Sequence, residues 1–243
     1  MSRSPLFIGR IVVLALAVLA LAMMLSSGPA TRAEIWSWQT GIAMLRWATY
    51  IGLAAGVGAL ILLVTLAVPA FRMHAWVPIA ALAIAAVAVT PPLMLLSTAK
   101  SVPRIHDIST DLADPPAFVA LAEARKASPN GVAHGGALVA EEQRKGYPDI
   151  KPLVLKTPPP ETVQKAIDAA RGMGWYVAAT DAAAGRLEAT DTTFFFGFKD
   201  DIVVRIRPEG TGSRVDVRSV SRVGLSDLGA NAARIRKFLD KLG

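Results

Sequence analysis

Residues 47–68 contain no charged side chain and are apolar for long enough to cross the hydrocarbon core of a bilayer as a helix. Comparable stretches lie on either side, at 6–25 and 76–96. Three such segments in the first 99 residues divide the chain into a membrane anchor and a remainder that must build its own core. The first stretch is the shortest, because its uninterrupted part is 11–25. Arg10 would have to snorkel for residues 6–8 to extend it. Its rival reading is a cleaved signal peptide, with Arg3 and Arg10 before the apolar run and small residues near Ala30 and Ala33. The cleavage pattern is untidy, and retention as a helix is the expectation. Residues 26–40 read as a polar connector whose Trp36 and Trp38 suit a membrane interface. In the third stretch a kink or break is expected at Pro91-Pro92.

The second stretch carries Gly52-x-x-x-Gly56. This spacing lets another helix approach closely, in the same chain or in a second copy, although glycine is also simply common in membrane helices. The second and third stretches hold no interior Asp, Glu, Lys, Arg or His, which disfavours transport or proton pumping. With three spans, Arg3, Arg10 and Arg72 share one side, and Arg32, Arg46, Lys100 and Arg104 the other. The count does not decide orientation. The flanks of the first helix favour an N-terminus inside, which puts residues 100–243 outside the cytoplasm, in a periplasm.

Charge is unevenly spread. Residues 1–99 hold five Arg, no Lys and one acid, Glu34, whereas residues 100–243 hold 21 basic and 18 acidic side chains. So balanced a second part argues against a nucleic-acid binder driven by phosphate charge. There is no cysteine, hence no disulfide framework and no thiolate nucleophile.

Three regions follow: an anchor at 1–99, a loop-rich segment at 100–150 that wraps what comes after it, and a small α+β domain at 151–243. In the wrapping segment a helix is expected over 116–126, capped by Asp114, and another over 137–145. The small domain reads β-α-β-β-β-β-α. Its strands are 152–156, 175–180, 186–196, 201–208 and 213–221, and its helices 161–173 and 227–242. Short turns make the sheet antiparallel, with both helices on one face. Alternate rings of Phe194-Phe195-Phe196 should then pack on the sheet. The last hairpin can be registered residue by residue. Pro208 faces Ser213, so Ile206 faces Val215 and Val204 faces Val217 on the core side. The other side shows Arg205 opposite Asp216, Arg207 opposite Arg214 and Val203 opposite Arg218. Like charges facing each other cost stability, so Arg207 and Arg214 require a further partner.

Arg205, Arg207, Arg214, Arg218, Arg222 and Arg234 therefore form the main candidate site. Guanidinium forks suit phosphate and carboxylate oxygens, and the N–H groups at the Ser226-Asp227 helix start would assist. The competing reading is an internal ion-pair lattice with Asp200, Asp201, Asp216, Asp227 and the acids of the wrapping segment. A weaker candidate is the loop of His106, Asp107 and Asp111, whose oxygens suit a hard cation or hydrolytic chemistry. Local turn capping accounts for the same residues. No catalytic residue, metal site or cofactor is assigned.

The runs Val215 to Gly224, Ser226-Asp227-Leu228-Gly229-Ala230-Asn231 and Arg234-Ile235 resemble the bacterial family called domain of unknown function 1499. So do Ile105-His106-Asp107-Ile108-Ser109-Thr110-Asp111, Pro115-Pro116 and Tyr147-Pro148-Asp149. The resemblance covers the C-terminal three-fifths of the chain. It implies a domain often attached to membrane helices, and it carries no activity. The expectation is a non-enzymatic envelope protein of the bacterial inner membrane that meets an anionic lipid headgroup or a protein partner through its arginines. A homo-oligomer formed through Gly52 and Gly56, or an enzyme built on the His106 loop, are the alternatives.

Overall fold

The computed structural model describes residues 5–69 and 72–243. Arg3, named above as a flank of the first stretch, lies outside them. The described chain divides into a helical unit and an α+β unit.

The helical unit contains α1 (Pro5–Arg32), α2 (Trp38–Val64), a single 3-10 turn (Thr65–Ala67) and α3 (Trp76–Ser101), whose last turn already belongs to the second unit. All three α-helices are long and apolar enough to cross a membrane. The connector between the first two is shorter than expected, because α1 runs on to Arg32. The Thr31 hydroxyl donates to Ser27 O at 2.7 Å, and the Trp36 indole donates to that hydroxyl at 3.0 Å, so the turn is fastened from within. Arg10 is buried and donates to the Met73 carbonyl rather than reaching outward. α3 passes through Pro91 and Pro92 unbroken.

Small side chains set the packing of these helices. Ala17, Ala55, Ala59, Ala81 and Ala85 form one buried cluster. Gly52 is buried, and a Cβ there would lie 2.6 Å from Val89 Cγ2 and 3.5 Å from Ala20 Cβ. The close approach that glycine permits is thus taken up by α1 and α3 of the same chain. Gly56 is looser, its nearest neighbour being Ala85 Cβ at 3.8 Å.

The α+β unit holds a six-stranded antiparallel sheet: β1 (Asp107–Ser109), β2 (Leu153–Leu155), β3 (Tyr176–Asp181), β4 (Arg186–Thr192), β5 (Lys199–Glu209) and β6 (Gly212–Ser221). Its order is β1-β6-β5-β4-β3, with β2 also pairing with β6. The hairpin register is the one expected, from Pro208 against Ser213 through Val203 against Arg218. Gly210 takes the positive φ of the turn, whereas Gly212 is needed for closeness, since a Cβ there would collide with the Leu155 carbonyl of β2.

Four helices complete the unit: α4 (Ala122–Lys126), α5 (Gly136–Gly146), α6 (Pro159–Gly172) and α7 (Ala230–Leu242). α6 and α7 cover one face of the sheet and bury Val163, Ala166, Ile235 and Phe238 with Ile202, Val204, Val215 and Val217. Trp175 stacks on Phe238 with centroids 5.1 Å apart. The other face is not left open. The wrapping segment lies on it and packs Phe118 and Leu121 against Val203 and Val220.

Four expectations are corrected. The wrapping segment contributes a strand, β1, which pairs with β6. The helix expected over 116–126 forms only as α4, because the N–H groups of Val119, Ala120 and Leu121 go to the buried Glu188 carboxylate at 2.8–3.1 Å. Asp114 does not cap it. β4 stops at Thr192, because Thr193 closes a loop with Phe198: Thr193 N donates to Phe198 O, and Phe198 N donates to Thr193 Oγ1. The three phenylalanines therefore lie in a turn, with Phe194 exposed, and not on a strand. Finally, α7 starts at Ala230 rather than 227. Asp227 turns back to accept from Gly229 N and Asn231 N, while Leu228 and Gly229 adopt left-handed φ of 56° and 84°.

Candidate functional site

Side chains alternate across a strand, so Asp201, Val203, Arg205 and Arg207 share the wrapped face with Arg214, Asp216, Arg218, Val220 and Arg222. Arg207 and Arg214 face each other, and the partners they require are two carboxylates, Asp216 from β6 and Asp111 from the wrapping segment. Asp216 has no exposed side-chain surface. It accepts from Arg207 Nη2 at 2.8 Å, Arg214 Nε at 2.9 Å and Arg205 Nη2 at 3.2 Å. Asp111 Oδ2 accepts from Arg214 Nη2 at 3.0 Å and Arg205 Nη2 at 3.2 Å, with Arg207 Nη2 at 3.5 Å. Its Oδ1 is held by the N–H groups of Ala113 and Asp114. Burial works against the Asp111 charge. The two backbone donors, with Arg214 and Arg205, outweigh it and hold the carboxyl below the ordinary aspartate range. The bond to Asp216 raises the Arg214 guanidinium in turn.

A third carboxylate, Asp114, meets Arg205 Nη1 at 2.8 Å and Arg207 Nη1 at 3.7 Å. It differs from the other two in being 69% exposed. Arg207 is the most exposed of the three arginines, at 42%. The outer edge of this cluster is therefore Arg207 and Asp114.

The remaining arginines are not part of that edge. Arg218 pairs with Asp107 under the wrap and also donates to the carbonyls of Pro116 and Val132. Arg222 bonds both oxygens of Asp201, and Arg125 donates to the same carboxylate at 2.9 Å. The Phe118 ring lies under both Arg125 and Arg218, with centroid distances of 4.9 and 5.3 Å. Arg234 is on the opposite face of the sheet. It bonds Asp200, Asp191 and the Asn231 carboxamide, and Asn231 in turn accepts from Ser219 and donates to Ser221 and the His106 carbonyl. The N–H groups at the start of α7 are occupied by Asp227. Four of the six candidate arginines are thus bound in ion pairs with acids expected for the lattice reading, and the other two, Arg207 and Arg205, have such pairs plus a share of the exposed edge.

The His106 loop is separated by its own partners: Asp107 goes to Arg218, and Asp111 to Arg205 and Arg214. Among the described residues no group of three or more His, Asp or Glu is placed to hold a metal ion. The sequence reading missed Arg125 and Glu188 as members of the network, whereas Asp114 is one of the wrapping-segment acids that the lattice reading included. Arg125 lies in the helix expected over 116–126 and Glu188 in the strand expected over 186–196, but a lone charged side chain in either reads as solvent-facing, and only the contact between wrap and sheet buries both.

These features define a class: an α+β domain whose sheet is clamped by arginine–carboxylate pairs to a preceding segment, joined to three helices of membrane-spanning length. A family model, described as protein of unknown function (DUF1499), matches residues 107–242, from the first residue of β1 to the end of α7, and the chain belongs to that family. No curated protein matches it.

Proposed function

We propose that this is an envelope protein of a bacterial inner membrane, with its family domain on the periplasmic side, and that Arg205, Arg207 and Arg214 take an anionic lipid headgroup. The observation that carries the reading is the unequal hold on three carboxylates. Three guanidiniums converge on two fixed acids, Asp111 and Asp216, and the third charge is met by the exposed Asp114. An exposed ion pair is worth only about 0–1 kcal/mol. A phosphate oxygen can replace the Asp114 carboxylate on Arg205 and Arg207 at little cost, while Asp111 and Asp216 keep the forks aimed. The segment from Val102 to His106 is all that joins α3 to β1, so lipid is the most abundant anion source for a domain tethered in this way.

The test is a titration of the full chain, held in nanodiscs of zwitterionic lipid, with dihexanoyl phosphatidylglycerol and with dihexanoyl phosphatidylcholine below their aggregation limits. Saturable binding of the anionic lipid alone, lost in Arg207→Glu while that variant still unfolds in one cooperative transition above the assay temperature, supports the reading. Equal binding of both lipids, or binding indifferent to Arg207→Glu, overturns it and leaves a protein partner for the same edge. Phosphatase and fluorescent-protein fusions after Gly243 test the placement: an active phosphatase with a dark fluorescent fusion is expected, and the reverse pair refutes it.

A further inference from the structure

A pocket of about 270 Å³ lies in the α+β unit, within the wrapping segment, between the chain just after β1 and the end of α5. Leu112 and Tyr147 supply apolar wall. Its polar lining consists of Thr110, Gln143, Arg144 and Lys151, and no carboxylate lines it. The floor is fixed. Gln143 is fully buried and grips the β1 backbone, accepting from Ser109 N at 2.9 Å and donating to Ser109 O at 2.6 Å. The Thr110 hydroxyl oxygen accepts from Val217 N at 2.8 Å, so its own hydrogen remains available to donate. Gln143 likewise keeps a second amide hydrogen. Arg144 and Lys151 are exposed, and among the described residues neither makes a salt bridge; the acids of α5, Glu141 and Glu142, pair with Lys145 instead. The C-terminal end of α5 points the other way electrically, with a dipole equivalent to about half a negative charge. Two whole cations exceed it.

We propose that this pocket binds a small organic anion, a phosphate monoester or carboxylate on a short apolar body, with its charge between Arg144 and Lys151 and its body against Tyr147 and Leu112. The volume is just under the roughly 300–1,000 Å³ usual for ligand pockets, which suits a ligand of single-ring size. None of Arg205, Arg207, Asp111 and Asp114 lines this pocket, and the proposal does not depend on lipid binding at that edge.

The test uses phenyl phosphate, inorganic phosphate and benzyl alcohol, titrated by calorimetry against the full chain in zwitterionic nanodiscs, with empty nanodiscs as the blank. The expected result is saturable binding of phenyl phosphate, at least tenfold tighter than either of the other two. It should weaken at least tenfold in Arg144→Gln/Lys151→Gln and in Leu112→Trp, and persist in Arg207→Glu. The double variant alters only exposed side chains, so the domain should fold. The proposal is overturned if phenyl phosphate does not saturate, if either control compound binds as tightly, or if binding survives the double variant. Loss in Arg207→Glu alone would move the anion to the arginine edge and equally refute the pocket.

Discussion

The guanidinium of Arg218 and the carboxylate of Asp107 form a two-bonded pair, Nε to Oδ1 at 2.9 Å and Nη2 to Oδ2 at 2.8 Å, with both residues buried. Asp107 stands opposite Val220 in the register and reaches its diagonal neighbour on β6. The pair joins the first strand of the sheet to its central hairpin, and its bonds are the charge-assisted kind.

Breaking that pair should be costly. Asp107→Asn leaves Arg218 charged, buried and short of its partner, and should destabilise the α+β unit by about 3–5 kcal/mol in denaturant unfolding of the detergent-solubilised chain. A double change to apolar residues, Asp107→Leu/Arg218→Met, should recover part of the loss. A cost below about 1 kcal/mol, the value for a surface pair, would show that the pair is not sealed from water.

Glu188 offers a graded test of the wrap. Its two oxygens accept from three backbone N–H groups, at Val119, Ala120 and Leu121. Glu188→Ala leaves these donors unmatched, at about 1–3 kcal/mol for each group that stays buried. Glu188→Gln keeps one carbonyl oxygen and should lose less. Limited proteolysis should cut first within residues 116–132 in the alanine variant and more slowly in the glutamine one. Equal cutting of the two variants would refute the role.

The pH dependence of stability should carry the mark of His134. Burial pushes its imidazole below the ordinary range, with Asp107 opposing and Arg218 adding to the shift. Its Nδ1 accepts from Gly136 N at 3.1 Å, which requires that nitrogen unprotonated. The unfolded histidine takes up its proton near about pH 6.5, the folded one at lower pH. The stabilisation is therefore complete above about pH 6.5 and is lost as pH falls towards the folded value. Asp227 acts with the opposite sign: burial raises its carboxyl, so its share of stability grows as pH falls through the folded value. Asp111, being depressed, loses its share only below the usual carboxylate range. Subtracting the melting curve of His134→Asn from that of the native chain isolates the first effect. A difference that stays flat between pH 7 and 5 would remove His134 as its source.

In the helical unit, Gly52 and Gly56 should separate under one substitution. Gly52→Ala places a methyl 2.6 Å from Val89 Cγ2, and a β-branched side chain in a helix has one favoured rotamer with which to yield. Overpacking of this kind costs about 1–3 kcal/mol. Gly56→Ala meets Ala85 Cβ at 3.8 Å, an ordinary contact, and should melt like the native chain. Equal melting of the two variants would contradict the packing of α2 against α3.

Much of the fold was legible because its signals were local. Alternating Ile and Val around Glu209-Gly210-Thr211-Gly212 set the hairpin register, and like-charged Arg207 and Arg214 announced a missing partner before it was located. β1 escaped notice because three residues are too few to show alternation, and it exists only by pairing with β6. Arg125 and Glu188 escaped for a related reason. Each lies in an element that the sequence predicts, a helix at 116–126 and a strand at 186–196, but a charged side chain there reads as solvent-facing, and the expected wrap does not say which residues it will cover. The loop of three phenylalanines misled in the opposite direction, since aromatic runs favour strands, whereas one Thr193 hydroxyl turns the chain.

The pairing of β1 with β6 also has a consequence in time. Asp107 and Arg218 are 111 residues apart in the chain. At a synthesis rate of about 5–20 residues per second, the strand and its carboxylate wait roughly 5–20 s for the arginine and the hairpin to appear. Until then Asp107, Asp111 and the apolar Ile108 have no sheet to join. The segment that comes first in the chain is among the last to find its place, and a nascent domain of this kind has to be kept from wrong partners until its final strand is delivered.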